Sequence, residues 1–146
     1  MTDKKRVETI DLENYAGTSP VEKVVVSLLT FYINYNGDEL KISPSMKRQE
    51  DKDKYDWGIY CQKDNTADLM TPPPNNVIPE IFSYIRKRTG LEEKPLKQTI
   101  LNYQEGTLLV SHKDGKYRIP FSIRFNEHYQ KEEITFGKPE KLEQKV

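Results

Sequence analysis

The side chains that most often act as nucleophiles or bases are few in this chain and lie far apart in the sequence. Cys61 is the single cysteine, and the two histidines, His112 and His128, fall in different segments. A cysteine nucleophile needs an adjacent base, but Cys61 alternates with Trp57 and Ile59 on the apolar side of a predicted strand. We therefore interpret Cys61 as a buried residue, because free cysteine packs as a small apolar side chain.

Metal-binding and acid–base patterns are equally weak. His112 ends a predicted strand beside a turn, and we interpret it as an exposed hairpin residue. Glu127 and His128 are neighbours but lack a third ligand, whereas zinc sites use at least three protein ligands. Glu92 and Glu93 could divide acid and base roles, but adjacent carboxylates in a loop are usually solvated. We expect no catalytic residues, no metal site and no cofactor.

Composition and charge exclude several classes of partner. The chain has 146 residues, which is enough for one domain with a modest core. Its 23 basic and 23 acidic residues give a formal net charge of zero, so no overall positive field attracts nucleic acid. Residues 1–11 are charged, and no apolar run reaches the length of a membrane span. We expect no nucleic-acid binding, no direct membrane insertion and a cytoplasmic location.

Two helices are predicted from apolar periodicity and from their end signals. Ser19 and Pro20 are typical of a helix start, and Glu22 completes a capping-box pattern with Ser19. The first helix ends at Asn36-Gly37, a left-handed cap sequence. The second helix is predicted at 76–89, with Gly90 closing it. The stripe of the first helix consists of Val21, Val24, Val25, Leu28, Leu29, Tyr32 and Ile33.

Alternating apolar residues predict the strands. They lie at 39–43, 55–62, 98–104, 107–112, 116–125 and 132–136. The resulting order predicts an α+β fold, in which two amphipathic helices pack on one face of a largely antiparallel sheet. We expect a flexible segment at 1–17, one domain at 18–137 and a flexible tail at 138–146. The residues predicted to be buried beneath the helices are Val25, Leu28, Ile81, Phe82, Ile85 and Trp57.

Several of these segments resemble, in order, the N-terminal PAS-like domain of the ATPases that power type II secretion and type IV pilus assembly. Gln104-Glu105-Gly106-Thr107 resembles the Gln-Asp-Gly-Arg turn that opens a hairpin in that family. Residues 38–44 resemble its Ser-Asp-Ile-His-Ile-Glu-Pro strand, and residues 132–136 resemble the strand before its ATPase domain. The resemblance covers about residues 20–136 and implies a PAS-like fold.

Departures from the family pattern indicate that nucleotide binding has been lost. The chain contains no Gly-x-x-x-x-Gly-Lys-Ser/Thr phosphate loop. Thr107 stands where the family has its turn arginine, and a hydroxyl cannot supply the bidentate fork of a guanidinium. Lys41 and Ser43 replace the histidine and glutamate of the family's strand. No nucleotide-contacting role is carried over to this sequence.

The resemblance implies a non-catalytic protein-interaction or scaffold module within a larger multiprotein assembly. Family domains pack between neighbouring subunits of a ring, so the expected partner is a motor ATPase subunit or a second copy of the chain. The alternative is a small-ligand-binding PAS-like sensor, because such a sheet can enclose an apolar pocket.

The expected interaction surface combines the solvent side of the second helix with the nearby hairpin edge. Tyrosine and arginine are the residue types most often found at the energetic centres of interfaces. The alternative is that these groups are simply solvated, since basic residues at a helix C-terminus also complement the helix dipole. The predicted partner-binding residues are Tyr84, Arg86, Lys87, Arg88, Tyr117 and Arg118.

Overall fold

A computed structural model of the chain describes residues 8–13, 19–44, 57–70, 73, 76–91, 103–113, 115–127 and 129–142. The described helices are α1 (Pro20–Tyr35) and α2 (Ile78–Thr89). The described strands are β1 (Thr9–Asp11), β2 (Glu39–Pro44), β3 (Trp57–Lys63), β4 (Thr66–Met70), β5 (Tyr103–His112), β6 (Gly115–Asn126), β7 (Lys131–Phe136) and β8 (Glu140–Lys141).

All the described strands join one sheet, in the order β1-β5-β6-β7-β2-β3-β4, with β8 paired to β6. The β1–β5 pair is parallel and the other pairs are antiparallel. β7 lies between β6 and β2. It therefore joins the β5–β6 hairpin to β2, β3 and β4, the strands that follow α1. The prediction of an α+β fold with a largely antiparallel sheet is confirmed.

Alternation along the strands buries one face of the sheet beneath the helices. Ile42 lies opposite Ile59 on one side and Ile134 on the other, and Ile134 lies opposite Ile123. All four are fully buried, and they share one apolar core with the inward residues of both helices. Each such side chain contributes about 1.5–3 kcal/mol when it is buried. Of the predicted core residues, Leu28 is only partly buried. The others are confirmed as buried: Val25, Ile81, Phe82, Ile85 and Trp57.

The helices end where the sequence predicts. Asn36 and Gly90 both have left-handed backbone conformations, with φ of 55° and 73°. The predicted capping box at the start of α1 is wrong. Within the described residues the Ser19 side chain makes no capping hydrogen bond, and the Glu22 carboxylate instead reaches Arg88 of α2.

The sheet extends further towards both ends of the chain than predicted. β1 lies within the segment 1–17 that we expected to be flexible, and its Ile10 is buried. β8 lies within the expected tail 138–146, and the Leu142 N–H donates to the Lys116 carbonyl at 2.8 Å. These short segments are ordered by backbone bonds to β5 and β6, and such bonds leave little trace in a local sequence pattern.

Two further strand boundaries differ from the prediction. β5 is continuous, and Gly106 and Thr107 pair with Phe121 and Pro120 in the middle of the ladder, so the expected turn at 104–107 is not formed. β4 was not predicted at all. It follows the turn at Asp64 and returns along β3, but its first three residues are exposed and give no apolar alternation.

Candidate partner-binding cleft

A cleft of about 740 Å³ opens between the start of α1 and the outer side of α2. The start of α1 is fixed by Pro20, whose ring restricts φ at a position where no helical N–H is needed. On α2, helical spacing places Glu80, Ser83, Tyr84 and Lys87 away from the buried stripe. The described lining residues are Glu8, Ser19, Pro20, Val21, Glu22, Asn76, Val77, Glu80, Ser83, Tyr84, Lys87 and Arg88.

Arg88 connects the three segments that form the cleft. Its Nη1 lies 2.5 Å from Glu8 Oε2, and its Nη2 lies 3.5 Å from Glu22 Oε2. Its guanidinium carbon lies 4.7 Å from the centre of the Tyr84 ring, which is within range of a cation–π contact. The Arg88 carbonyl also accepts the Glu8 N–H at 2.7 Å. These contacts hold β1, α1 and α2 together at the cleft.

Tyr84 presents a neutral hydroxyl to the cleft. Burial raises the pKa of Tyr84, and the neighbouring Arg88 guanidinium lowers it in part. The hydroxyl donates to Glu22 Oε2 at 3.4 Å. Tyr84 therefore combines a half-buried ring with a polar tip, a combination suited to an interface between protein surfaces.

The rim of the cleft carries charges that are not neutralised internally. Among the residues that the structure describes, Glu80 and Lys87 make no ion pair, and both side chains are exposed. They are seven residues apart on α2, which corresponds to about 10 Å along the helix axis. An incoming molecule therefore meets one free carboxylate and one free ammonium group across this distance.

The structure brings together three of the predicted partner-binding residues: Tyr84, Lys87 and Arg88 all line the cleft. The prediction for Arg86 is wrong, because its side chain is only 1% exposed. Its Nε donates to Gln104 Oε1 at 2.9 Å, and its Nη1 donates to Glu132 Oε1 at 3.2 Å. The spacing of Arg86 from Phe82 and Ile85 places it on the inward side of α2.

Tyr117 and Arg118 lie elsewhere and are not at a free edge. They pair with Lys141 and Glu140 of β8. Tyr117 packs partly against the core, and Arg118 Nη2 lies 3.0 Å from Glu140 Oε1. The expected hairpin edge is therefore covered by β8 of the same chain.

The sequence analysis did not identify Glu8 and Glu22 as cleft residues, because their approach to Arg88 depends on tertiary packing.

The candidate chemical residues are dispersed. Cys61 is fully buried as predicted, and burial raises the pKa of its thiol, with Asp68 and Asp38 adding to the effect. His112 is half-buried instead of exposed, because its Nε2 lies 3.1 Å from Asn34 Oδ1 on α1. In the described part of the chain no group of three His, Cys, Asp or Glu could hold a metal. Glu92, Glu93 and His128 lie outside the described residues.

Comparison with known proteins gives no assignment. No protein-family model matches the chain, and a search of curated proteins finds no match. No described helix is both long enough and apolar enough to cross a membrane.

Proposed function

We propose that this chain is a non-catalytic protein-interaction or scaffold module that works within a larger multiprotein assembly. The observation that carries the proposal is the cleft, where Tyr84, Lys87 and Arg88 line the outer side of α2. Tyrosine and arginine are enriched among residues that dominate binding energy. Arg88 is already fixed in place by Glu8 and Glu22, so a partner would meet a preorganised surface.

The proposed relationship is to the PAS-like N-terminal domain of type II secretion and type IV pilus ATPases. It is supported by the order of helices and strands and by a largely antiparallel sheet covered on one face. Thr107 lies within β5, opposite Pro120, and offers no guanidinium to a nucleotide. The partner that fits this relationship is a motor ATPase subunit in the cytoplasm.

A small-ligand-binding sensor is the second candidate function. The volume of about 740 Å³ favours it, because small-molecule sites usually measure about 300–1,000 Å³. The lining favours a polar ligand over an apolar one, since Glu80 and Lys87 present opposite charges at the rim. This differs from the apolar pocket within the sheet that the family resemblance implies.

The proposed function is tested by affinity capture from native lysate with the wild-type chain and two cleft variants. Lys87→Glu reverses a free charge, and Ser83→Arg adds bulk at an exposed position of the lining. Neither change removes an ion pair among the described residues. Lys113→Glu, at an exposed position beyond β5, is the matched charge control.

We expect one captured protein to fall at least tenfold with both cleft variants and to stay at wild-type yield with the control. Binding of that purified protein to the same variants should follow the same order. If folded variants recover every protein at wild-type yield, the cleft is not a protein-binding site. A small molecule that copurifies with wild type and is lost with Ser83→Arg, as seen by native mass spectrometry, would support the sensor instead.

A further inference from the structure

β4 forms one end of the sheet, and its outer edge is unpaired within the described part of the chain. The strand pairs with β3 along all five of its residues, and no described strand follows it in the sheet order. Thr66, Ala67 and Asp68 are exposed. The opposite end of the sheet is formed by β1, which has only three residues. β4 therefore offers the longer row of unpaired backbone groups.

The register of the β3–β4 hairpin determines which backbone groups point outwards. A two-residue turn joins Lys63 to Thr66, and in such a hairpin the pair that flanks the turn is hydrogen-bonded. Bonded and non-bonded pairs alternate along the ladder, so the N–H and C=O groups of Ala67 and Leu69 point away from β3. The Gln62 carbonyl agrees with this register. It accepts the N–H of the residue before β2 at 2.8 Å and therefore faces away from its partner Ala67.

The helix-facing side of this edge lies beside the end of α1. Asp68 Oδ2 accepts the Tyr35 hydroxyl at 2.7 Å, and the Phe31 ring stacks on Tyr35 with 5.3 Å between ring centres. Phe31 is 39% exposed, the more exposed of these two aromatic residues. A strand added outside β4 would direct every second side chain to the side of the sheet that carries both rings.

β4 carries few of the features that keep sheet edges from pairing with other chains. Natural edge strands are protected by lysine, proline, bulges or a covering element. None of the five residues of β4 is lysine or proline, and its ladder with β3 has no bulge. Its one charged side chain, Asp68, is engaged by Tyr35. The edge is therefore suited to accept another strand.

We propose that β4 is a docking edge for an extended segment of a partner protein, which joins the sheet as a further strand. Alternating N–H and C=O groups at strand spacing are matched by another strand, whereas a helix bonds its own backbone groups and would leave those of β4 unpaired. Backbone bonds to Ala67 and Leu69 supply affinity, and apolar side chains at every second position of the segment pack beside Phe31 and Tyr35.

This edge is separate from the cleft, because none of the described residues that line the cleft lies on β4. The inference therefore goes beyond the proposed function of the cleft, and either proposal can fail without the other.

The first test is amide hydrogen exchange in the free full-length chain, measured for each residue by NMR. The amides of Ala67 and Leu69 should exchange at least tenfold faster than that of Asp68, which bonds to β3. Slow exchange at Ala67 and Leu69 would mean that the edge is already covered. The cover is a second copy if the protection depends on concentration, and the chain itself if it does not. Either result would overturn the proposal.

The second test selects binders from a displayed library of random peptides with the wild-type chain as bait. At least one family of selected peptides should carry apolar residues at alternate positions and should slow the exchange of the Ala67 and Leu69 amides. Methylation of the peptide's backbone nitrogens, one at a time, should weaken binding only at every second position, because only those N–H groups face β4.

Ala67→Pro is the most direct variant of the edge. It removes an outward N–H without removing a bond to β3, and proline is tolerated at such positions of edge strands. Binding of the selected family should fall at least tenfold. Ala67→Ser keeps the N–H and is the matched control, which should bind as wild type does. Phe31→Ser should also weaken binding, whereas Lys87→Glu in the cleft should leave it unchanged.

Two further results would overturn the proposal. The edge does not accept a strand if the selection yields no peptide that binds wild type, or only peptides that bind folded Ala67→Pro equally tightly. The bound peptide is not a strand if methylation weakens binding at consecutive positions or at none. The methylation series uses the wild-type chain, so it decides the question even where Ala67→Pro fails to fold.

Discussion

Arg86 of α2 and Glu132 of β7 form an ion pair beneath the helix, with side chains only 1% and 12% exposed. The same guanidinium donates to Gln104 on β5 at 2.9 Å. Because β6 lies between β5 and β7, one side chain connects α2 to two strands that are not neighbours. The Glu132 carbonyl in turn accepts the Trp57 indole N–H at 2.9 Å, which brings β3 into the same cluster.

Replacing Arg86 should destabilise the fold strongly. Arg86→Met leaves the Glu132 carboxylate and the Gln104 amide without the guanidinium that they contact, and removal of one member of a buried pair costs about 3–5 kcal/mol. The measurement is the free energy of unfolding from urea titration. The control is Lys87→Met on the exposed side of α2, which should change the free energy by less than about 0.5 kcal/mol.

The double variant Arg86→Met/Glu132→Leu shows whether Arg86→Met destabilises the fold by leaving the Glu132 carboxylate without its charge partner or by losing the packing of the arginine side chain. Apolar replacement of a whole buried ion pair is often neutral or stabilising. We therefore expect the double variant to recover most of the stability that Arg86→Met loses. If Arg86→Met unfolds at the wild-type urea concentration, the pair does not stabilise the domain.

Phe82 should be among the most costly core residues to truncate. It is 1% exposed on the inward side of α2, and truncation of a buried phenylalanine to alanine costs about 3–5 kcal/mol through lost burial and the cavity left behind. Tyr103→Ala is the control, since Tyr103 is 48% exposed and surface changes usually cost under about 1 kcal/mol. A small loss for Phe82→Ala in chemical denaturation would show that α2 faces the sheet differently.

Tyr32 should make the fold sensitive to alkaline pH. Its ring is fully buried, and its hydroxyl donates to the Gly137 carbonyl at 2.7 Å. Burial raises the pKa of Tyr32 above its ordinary value, and Cys61, Glu39 and Asp38 add to the increase. The folded chain therefore keeps this proton at a pH where the unfolded chain, with a tyrosine pKa of about 10, has released it.

The sign of the effect follows from proton linkage. The stabilisation is complete below about pH 10, the unfolded pKa, and decreases as the pH rises further towards the folded pKa. At pH 7, Tyr32→Phe should lower the free energy of unfolding by roughly 1 kcal/mol, because the hydrogen bond of the hydroxyl is removed. Above pH 10 its free energy of unfolding should fall less steeply with pH than that of wild type. Parallel pH profiles for the two proteins would contradict this assignment.

The parts of the fold that were predicted correctly depend on local signals. The ends of α1 and α2 follow from Asn36 and Gly90, whose left-handed conformations close each helix within one turn. The inward face of β2 follows from the alternation of Leu40 and Ile42 with polar residues. Both the helix-ending residues and the apolar alternation lie within, or directly next to, the element that they specify, so they can be recognised without knowledge of distant contacts.

The parts that were missed depend on contacts between distant residues. Arg86 was predicted to lie on the solvent side of the second helix, in the basic cluster at its C-terminus. Its partner Glu132 is 46 positions away in the chain. β1 and β8 have too few residues to show an alternating pattern. They form strands because they pair with β5 and β6. In the cleft, Tyr84 and Lys87 were predictable from helix periodicity, but the carboxylates that hold Arg88 were not.

The final prediction is that the chain neither binds ATP tightly nor hydrolyses it. Thr107, which aligns with the turn arginine of the proposed family, lies half-buried in the middle of β5, opposite Pro120. Arg86 and Arg88, the two arginines of α2, are already engaged by carboxylates. Calorimetric titration with Mg²⁺–ATP should show no micromolar binding, and a phosphate-release assay should show no turnover.

The variant Thr107→Arg should not confer either property. One guanidinium on a strand supplies a charge, whereas tight phosphate binding uses a loop of backbone N–H groups with a lysine. Gln62→Arg, at an exposed site on β3, controls for a nonspecific gain of positive charge. Micromolar ATP affinity in wild type would show that this chain has a nucleotide site. Turnover in a folded Thr107→Arg protein would contradict the prediction, because one added guanidinium would then be enough for hydrolysis.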